Sequence, residues 1–166
     1  MRNIVLIGFM GTGKTTISEQ LSSMYGMETV DMDLLISKKE GMSIPDIFRI
    51  HGEEYFRTLE TELLIELQSK ENTIISCGGG AAMRERNVVE MKKIGKVVLL
   101  TATPETILER VKDNDDRPLL RNKKSIEHIS ELMEIRRAKY EAAADIIVAT
   151  DGITAEEICK EIIKRI

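Results

Sequence analysis

Ile4-Val5-Leu6-Ile7-Gly8-Phe9-Met10-Gly11-Thr12-Gly13-Lys14-Thr15 is the stretch on which the fold turns. Ile4 to Ile7 is apolar without alternation and rich in β-branched side chains, as expected of a strand covered on both faces in a parallel sheet. From Thr15 onward Ile17, Leu21 and Met24 recur at helical spacing, and Gly26 supplies a stop. Between that strand and that helix, Gly8 to Thr15 satisfies G-x-x-x-x-G-K-[ST]. Glycines there let successive backbone N–H groups turn inward around phosphate oxygens, and the helix N-terminus adds its partial positive charge. Lys14 is read as the charge that reaches the β- and γ-phosphates of a nucleotide, and the Thr15 hydroxyl as a Mg²⁺ ligand. The bland alternative is a glycine-rich turn between strand and helix.

Outward from this turn, short apolar strands keep alternating with amphipathic helices. A second strand near Glu28 to Val30 leads into Asp31-Met32-Asp33, and helical stretches follow, broken at Gly41 and restarted near Ser43-Ile44-Pro45. Phe56, Leu59, Leu63 and Leu67 share one face of a helix expected from Glu53 to about Lys70. Thr73 to Ser76 reads as a third strand ending at Cys77 and Gly78-Gly79-Gly80, and Lys96 to Leu100 as a fourth, with a helix beginning at Thr103-Pro104. Residues 113–124 break the periodicity. A long helix through Ile126, Ile129, Met133 and Ala138 to Tyr140, a fifth strand at Asp145 to Ala149, and a closing helix marked by Ile158, Ile162 and Ile166 complete the chain. The alternation predicts right-handed crossovers in a doubly wound α/β domain covering residues 1–166.

The composition narrows the partners. The sequence has 166 residues, the size of one domain, and its 24 Lys and Arg against 28 Asp and Glu leave a net charge of −4 with no basic arm. Duplex nucleic acid and anionic membranes are excluded as main partners, and 4% aromatic content without Trp leaves little for stacking on single strands. Cys77 and Cys159 form no C-x-x-C pair and fit a reducing compartment. Ile4 to Ile7 is too short for a signal segment, and no run approaches the ~18 apolar residues of a membrane span, so a cytoplasmic protein is expected.

A phosphate site alone does not name a reaction. Asn122-Lys123-Lys124-Ser125 lacks the Asp of a guanine-reading N-K-x-D element, and the third strand ends Ile75-Ser76-Cys77 without the acidic residue of a large ATPase. Metal help beyond Thr15 is therefore sought from Ser76 through water or from Asp31. In extended geometry Asp31 and Asp33 would project to the same side at the sheet's C-terminal edge, one toward metal and one toward an attacking hydroxyl; the alternative is an acidic cluster at a helix N-terminus. Arg57 and Glu60 are an i, i+3 pair, either a surface ion pair or a carboxylate holding a guanidinium fork for an acidic substrate. Gly78, Gly79 and Gly80 offer close backbone approach to a small ligand, or simply a loop. Between Arg110 and Lys124, six basic against three acidic side chains leave +3.

The Gly8 to Thr16 loop, Asp31-Met32-Asp33, Gly41 to Phe48, Gly52 to Arg57 with Glu60, the glycine triplet, Arg117-Pro118-Leu119-Leu120, and Arg136 with Tyr140 occur in that order. In this the chain resembles the shikimate kinase family nearly end to end. The resemblance implies an α/β fold with a five-stranded parallel sheet flanked by helices, a P-loop, nucleoside-monophosphate-kinase-like three-layer sandwich. It also implies a substrate-binding helical region at about 33–60 and a small lid at about 112–124. The implied reaction is transfer of the ATP γ-phosphate to the 3-hydroxyl of shikimate, with Mg²⁺, in a monomeric enzyme of aromatic amino-acid biosynthesis.

The phosphate-loop reading gives the nucleotide to Gly11, Thr12, Gly13, Lys14, Thr15 and Thr16, the resemblance adds Arg110 and Arg117, and the metal is expected at Thr15 and Asp31. By the resemblance, shikimate goes to Asp33, Arg57, Gly78, Gly79, Gly80 and Arg136, with catalysis by Lys14, Asp33 and Arg117. Phe48, Phe56, Pro118 and Leu119 would wall the acceptor pocket. The chain departs from the family at Ala138, where proline is frequent, and at Ile153, where polar residues are common. A gluconate-type kinase would share the P-loop without needing Arg136, and a catalytically silent nucleotide-binding module is the reading from outside enzymes.

Overall fold

The computed structural model describes residues 2–112 and 125–166. Five parallel strands, β1 (Ile4–Ile7), β2 (Glu28–Asp31), β3 (Thr73–Ser76), β4 (Lys96–Thr101) and β5 (Ile146–Ala149), form one sheet in the order β2-β3-β1-β4-β5. Eight α-helices accompany them among the described residues: α1 (Lys14–Tyr25), α2 (Met32–Glu40), α3 (Ile44–His51), α4 (Glu53–Glu66), α5 (Glu85–Ile94), α6 (Pro104–Val111), α7 (Ile126–Ala143) and α8 (Ala155–Arg165).

The continuous apolar reading of β1 is explained by cover on both faces. Val5 and Ile7 enter a core with Phe56, Leu63, Met91 and Tyr140 from the α4, α5 and α7 side. Ile4 and Leu6 face Ile17, Leu21, Ile158 and Ile162 of α1 and α8. The result is three layers, helices on either side of the sheet. At the two edges the cover thins, and β5 alternates buried and exposed residues.

Local chemistry sets the helix ends. Gly26 and Gly41 stop α1 and α2 in the left-handed conformation, with φ of 67° and 68°. Ser43, Thr103, Ser125 and Thr154 cap α3, α6, α7 and α8 through their side chains, Thr154 in a reciprocal box with Glu157. The helix expected to reach about Lys70 ends at Glu66 and tightens into a 3₁₀ turn at Leu67–Ser69. One helix was not anticipated: α5, the element packed beside α4 on the same face of the sheet.

The strand order places function. Because β3 and β4 lie on opposite sides of β1, the connections diverge there and leave a crevice at the carboxyl ends of the strands. The registers Leu6↔Ser76 and Asp31↔Ser76 bring the ends of β1, β2 and β3 level, so the chain leaves all three at one edge.

Candidate active site

On the β1 side of the crevice lies the loop between β1 and α1. Gly11 and Gly13 take φ of 82° and 97°, conformations cheap only for glycine, and Gly13 starts α1. A methyl on Gly11 would also fall 3.0 Å from Val111 Cγ1, so α6 packs directly under the loop. The Arg110 guanidinium, from the last turn of α6, donates to Gly11 O at 2.9 Å and to Thr150 Oγ1 at 3.3 Å, tying the loop to the end of β5. Lys14 Nζ lies over the loop, donating to Gly8 O at 2.7 Å and Phe9 O at 3.1 Å. Thr15 and Thr16 are exposed in the first turn of α1. Thr12 differs from its neighbours: it is 1% exposed and its hydroxyl donates to Phe9 O at 2.8 Å, so its side chain braces the loop from within.

Across the crevice are the groups read as the acceptor site. The extended Asp31-Met32-Asp33 arrangement is corrected by the structure. Asp31 ends β2 and caps α2, its Oδ1 accepting from Leu34 N at 3.1 Å, and Asp33 sits in the first helical turn. Carboxylates there face the positive end of a helix. Asp33 nonetheless reaches the glycine triplet, for a methyl on Gly78 would fall 2.7 Å from its Oδ1. On Gly80 a methyl would collide with the Arg57 guanidinium. On Gly79 it would fall 3.4 Å from Arg136 Nη1, 3.8 Å from Met10 N and 3.9 Å from Gly8 O. Three side chains separated by a hundred residues therefore converge on three consecutive glycines, and the middle one borders the phosphate loop.

The charges are held in different ways. Arg57 pairs with Glu60 at 2.7 Å and Glu53 at 3.6 Å, and its Cζ lies 5.3 Å from the centre of the Phe56 ring and 5.9 Å from that of Phe48. Glu60 is fully buried, and its Oε2 has no hydrogen-bond partner among the described residues. Burial pushes its carboxyl up to about 7 although the Arg57 guanidinium pulls the other way. Arg136 stands on α7, which runs unbroken through Ala138, with its Cζ 5.9 Å from the centre of the Phe9 ring. Its buried Nη1 is also unpartnered among the described residues, a donor left open toward Gly79. Tyr140, one turn on, donates its hydroxyl to Gly79 O; the spacing from Arg136 was the available signal for it.

Some residues stay outside this constellation. Arg117, Pro118 and Leu119 and the expected lid lie outside the described residues, apart from Lys112 at the end of α6. Cys77 is buried beside the triplet and burial raises its thiol far above the ordinary value, which makes it unreactive as a nucleophile. Ile153 is exposed at the turn after β5. An apolar cavity of about 340 Å³ bordered by Leu99, Met133, Tyr140 and Ile147 takes none of the charged groups of the crevice.

No group of three or more His, Cys, Asp or Glu side chains gathers among the described residues, so a cage built from protein alone is not offered there. Magnesium does not need one. It keeps several waters and takes one or two protein oxygens beside phosphate, and the Thr15 hydroxyl, exposed in the first turn of α1, is an oxygen donor that fits it.

A phosphate loop beside a cluster of two arginines and a carboxylate, at the switch point of a β2-β3-β1-β4-β5 sheet, defines a P-loop kinase of small acidic metabolites, with the nucleoside-monophosphate-kinase-like fold. The family profile described as shikimate kinase matches residues 10–166. The shikimate kinase of Persephonella marina is 44% identical over 166 residues, 100% of this chain and 99% of that one. That of Alkaliphilus oremlandii is 43% identical over 165 residues, 98% of each chain. Among solved structures, shikimate kinase from Acinetobacter baumannii in complex with shikimate has a TM-score of 0.91 at 35% identity, covering 99% of this chain and 92% of that one. Shikimate kinase from Aquifex aeolicus has a TM-score of 0.83 at 42% identity, covering 98% and 95%. This chain belongs to the shikimate kinase family.

Proposed function

We propose that this protein transfers the γ-phosphoryl group of ATP to the 3-hydroxyl of shikimate, giving shikimate 3-phosphate and ADP on the route to aromatic amino acids. The observation that carries this reading is the convergence of Asp33, Arg57 and Arg136 on Gly78 to Gly80, where a methyl added to Gly79 would fall within 4 Å of Met10 N and Gly8 O of the phosphate loop. Two guanidinium groups are the natural clamp for one carboxylate, each charge-assisted hydrogen bond being worth about 1.5 to 3 kcal/mol. A carboxylate between them leaves the hydroxyls of the same ring to Asp33 on the other side of the triplet.

Phosphoryl transfer through a loose transition state asks mainly for alignment and charge neutralisation. Lys14 supplies a mobile positive charge, and the α1 N-terminus and inward N–H groups a fixed one. Asp33 accepts a hydrogen bond from the attacking hydroxyl, orients it, and takes its proton as the bond to phosphorus forms. Thr15, with Asp31 through water, would hold a Mg²⁺ ion that neutralises the phosphate oxygens and ties them to the loop. Arg110 would border the base of the nucleotide, a role supported by its hydrogen bonds to Gly11 O of the phosphate loop and to Thr150 Oγ1, and Arg117 is assigned on sequence alone as a further charge on the transferring group. The same reading makes the protein a single-domain, monomeric, cytoplasmic enzyme; of these, the cytoplasmic setting is supported by its two unpaired cysteines.

The test is ADP release from MgATP in the presence of shikimate, quinate or gluconate, with the product identified by mass. Shikimate should be phosphorylated one for one with ADP formed and be strongly preferred. Preference for gluconate, or nucleotide binding without any phosphorylated acceptor, would sink the reading.

A further inference from the structure

Helix α5 carries no group that reaches the crevice, yet its Asn87 is completely buried and joins the two halves of the acceptor site. Asn87 Nδ2 donates to Ala81 O at 3.0 Å, and Asn87 Oδ1 accepts from the Thr61 hydroxyl. Ala81 belongs to the 3₁₀ turn Ala81–Met83 that closes the glycine triplet, with Ala81 N donating to Gly78 O and Met83 N to Gly80 O, both at 3.1 Å. Thr61 lies on α4 one residue beyond Glu60, its hydroxyl also 3.0 Å from Arg57 O and accepting from Arg84 Nη1 at 3.1 Å.

We propose that Asn87 is a positioning residue that fixes the Arg57 helix at its working distance from Gly78 to Gly80, so that guanidinium and loop backbone meet the same acceptor molecule. This rests on the acceptor assignment above and deepens it. On the opposite flank the loop is already tied to the helix of Arg136, by Tyr140 on Gly79 O and by Lys139 Nζ on Met83 O at 3.1 Å. Asn87 with Thr61 is the matching tie to the helix of Arg57. The chemistry demands an amide: a carboxylate lacks the donor for Ala81 O, and an aliphatic side chain lacks both donor and acceptor. The Thr61 hydroxyl has a single proton for two neighbouring acceptors, Arg57 O and Asn87 Oδ1. Losing Asn87 therefore lets that proton turn back onto α4 and releases the loop. The consequence is a misplaced clamp rather than a lost charge, which weakens the acceptor and leaves the nucleotide site alone.

Steady-state kinetics and melting temperatures of Asn87→Ala, Thr61→Val, Thr61→Ser and the double variant Asn87→Ala/Thr61→Val test this. Asn87→Ala and Thr61→Val should each raise the KM for shikimate about tenfold, with the KM for ATP within about twofold of wild type. Thr61→Ser, which keeps the hydroxyl, should stay at the wild-type value. Since both residues are links of one hydrogen-bonded chain from α4 to the loop, broken by either loss, the double variant should be no worse than the poorer single variant. An unchanged shikimate KM in folded Thr61→Val, ATP and shikimate KM values rising together with a falling melting temperature, or multiplying effects in the double variant would each overturn the proposal. Wild-type protein that does not use shikimate refutes the acceptor assignment; the comparison is then run on the acceptor it does use, and the same outcomes decide the role of Asn87.

Discussion

The Arg57 guanidinium and the Glu60 carboxylate meet at 2.7 Å, with the glutamate fully buried and the arginine side chain 16% exposed. Burial holds the Glu60 carboxyl up to about 7, against 4.5 in an open chain. Between those two values the native protein keeps a proton that the unfolded chain has released, so this group's contribution to stability is present below pH 4.5 and is lost as pH rises toward 7. Glu60→Gln, which cannot ionise, should lack that contribution. The check is the difference in urea midpoint between wild type and variant from pH 5 to pH 8, which should shrink or reverse in favour of the variant at the higher pH.

The same pair predicts a pH dependence of acceptor binding. An ionised Glu60 shares the guanidinium with the substrate carboxylate, whereas a neutral one leaves it to the substrate. Binding an anion at Arg57 therefore favours protonated Glu60, and the KM for shikimate should climb as pH passes from below 7 to above it. Glu60→Gln should flatten that climb. A wild-type KM that does not move across this range would remove Glu60 from acceptor recognition.

Gly80 has an ordinary φ of −97°, so an alanine there tests space alone. Its methyl would run into the Arg57 guanidinium. We expect Gly80→Ala to lower kcat/KM for shikimate by a factor on the order of ten to a hundred through KM, because a displaced guanidinium loses a charge-assisted hydrogen bond. The KM for ATP should hold, and a variant with wild-type acceptor kinetics would place Arg57 elsewhere during turnover.

The legibility of these parts from sequence followed the range of the forces that fix them. The phosphate loop was readable because Gly11 and Gly13 meet a backbone requirement written into consecutive residues. The helix starts at Ser43 and Thr103 were of the same local kind. Asp31 and Asp33 were misread as extended because the strand gives way to α2 without an intervening residue, and Asp31 serves both elements. Helix α5 has no such signal, because Arg84, the residue before it, makes no side-chain cap, and because Asn87 and Glu90 interrupt its inward face with polar groups. Its role depends on the Asn87 to Thr61 contact, 26 residues apart, which no local pattern records.

On the reading proposed above, Arg110 serves the nucleotide and not the acceptor. Its two hydrogen bonds, to Gly11 O and Thr150 Oγ1, connect the loop with the end of β5 on the side away from the glycine triplet. It is an exposed residue, so Arg110→Ala should barely alter the melting temperature. A lost charge-assisted contact corresponds to roughly a tenfold rise in the KM for ATP. The shikimate KM should be unaffected, and equal changes in both constants would show that Arg110 acts by deforming the whole crevice.

Asp33 stands where orientation and proton transfer can be told apart. It occupies the first turn of α2 with its carboxylate against Gly78, so its place is set by the helix and by the absence of a side chain on the glycine. Asn keeps the shape and one hydrogen-bond acceptor but cannot take a proton. If the carboxylate only aligns the hydroxyl, Asp33→Asn retains much of the turnover, since a loose transition state leaves the hydroxyl proton in place until bond formation is advanced. If it also takes that proton, kcat falls by about a hundredfold or more. We expect the larger fall, with the KM for ATP within about twofold of wild type because the reading proposed above gives Asp33 to the acceptor and not to the nucleotide. Pre-steady-state product formation is the measurement that decides, as it reports phosphoryl transfer without product release; an undiminished burst rate would remove Asp33 from the chemical step.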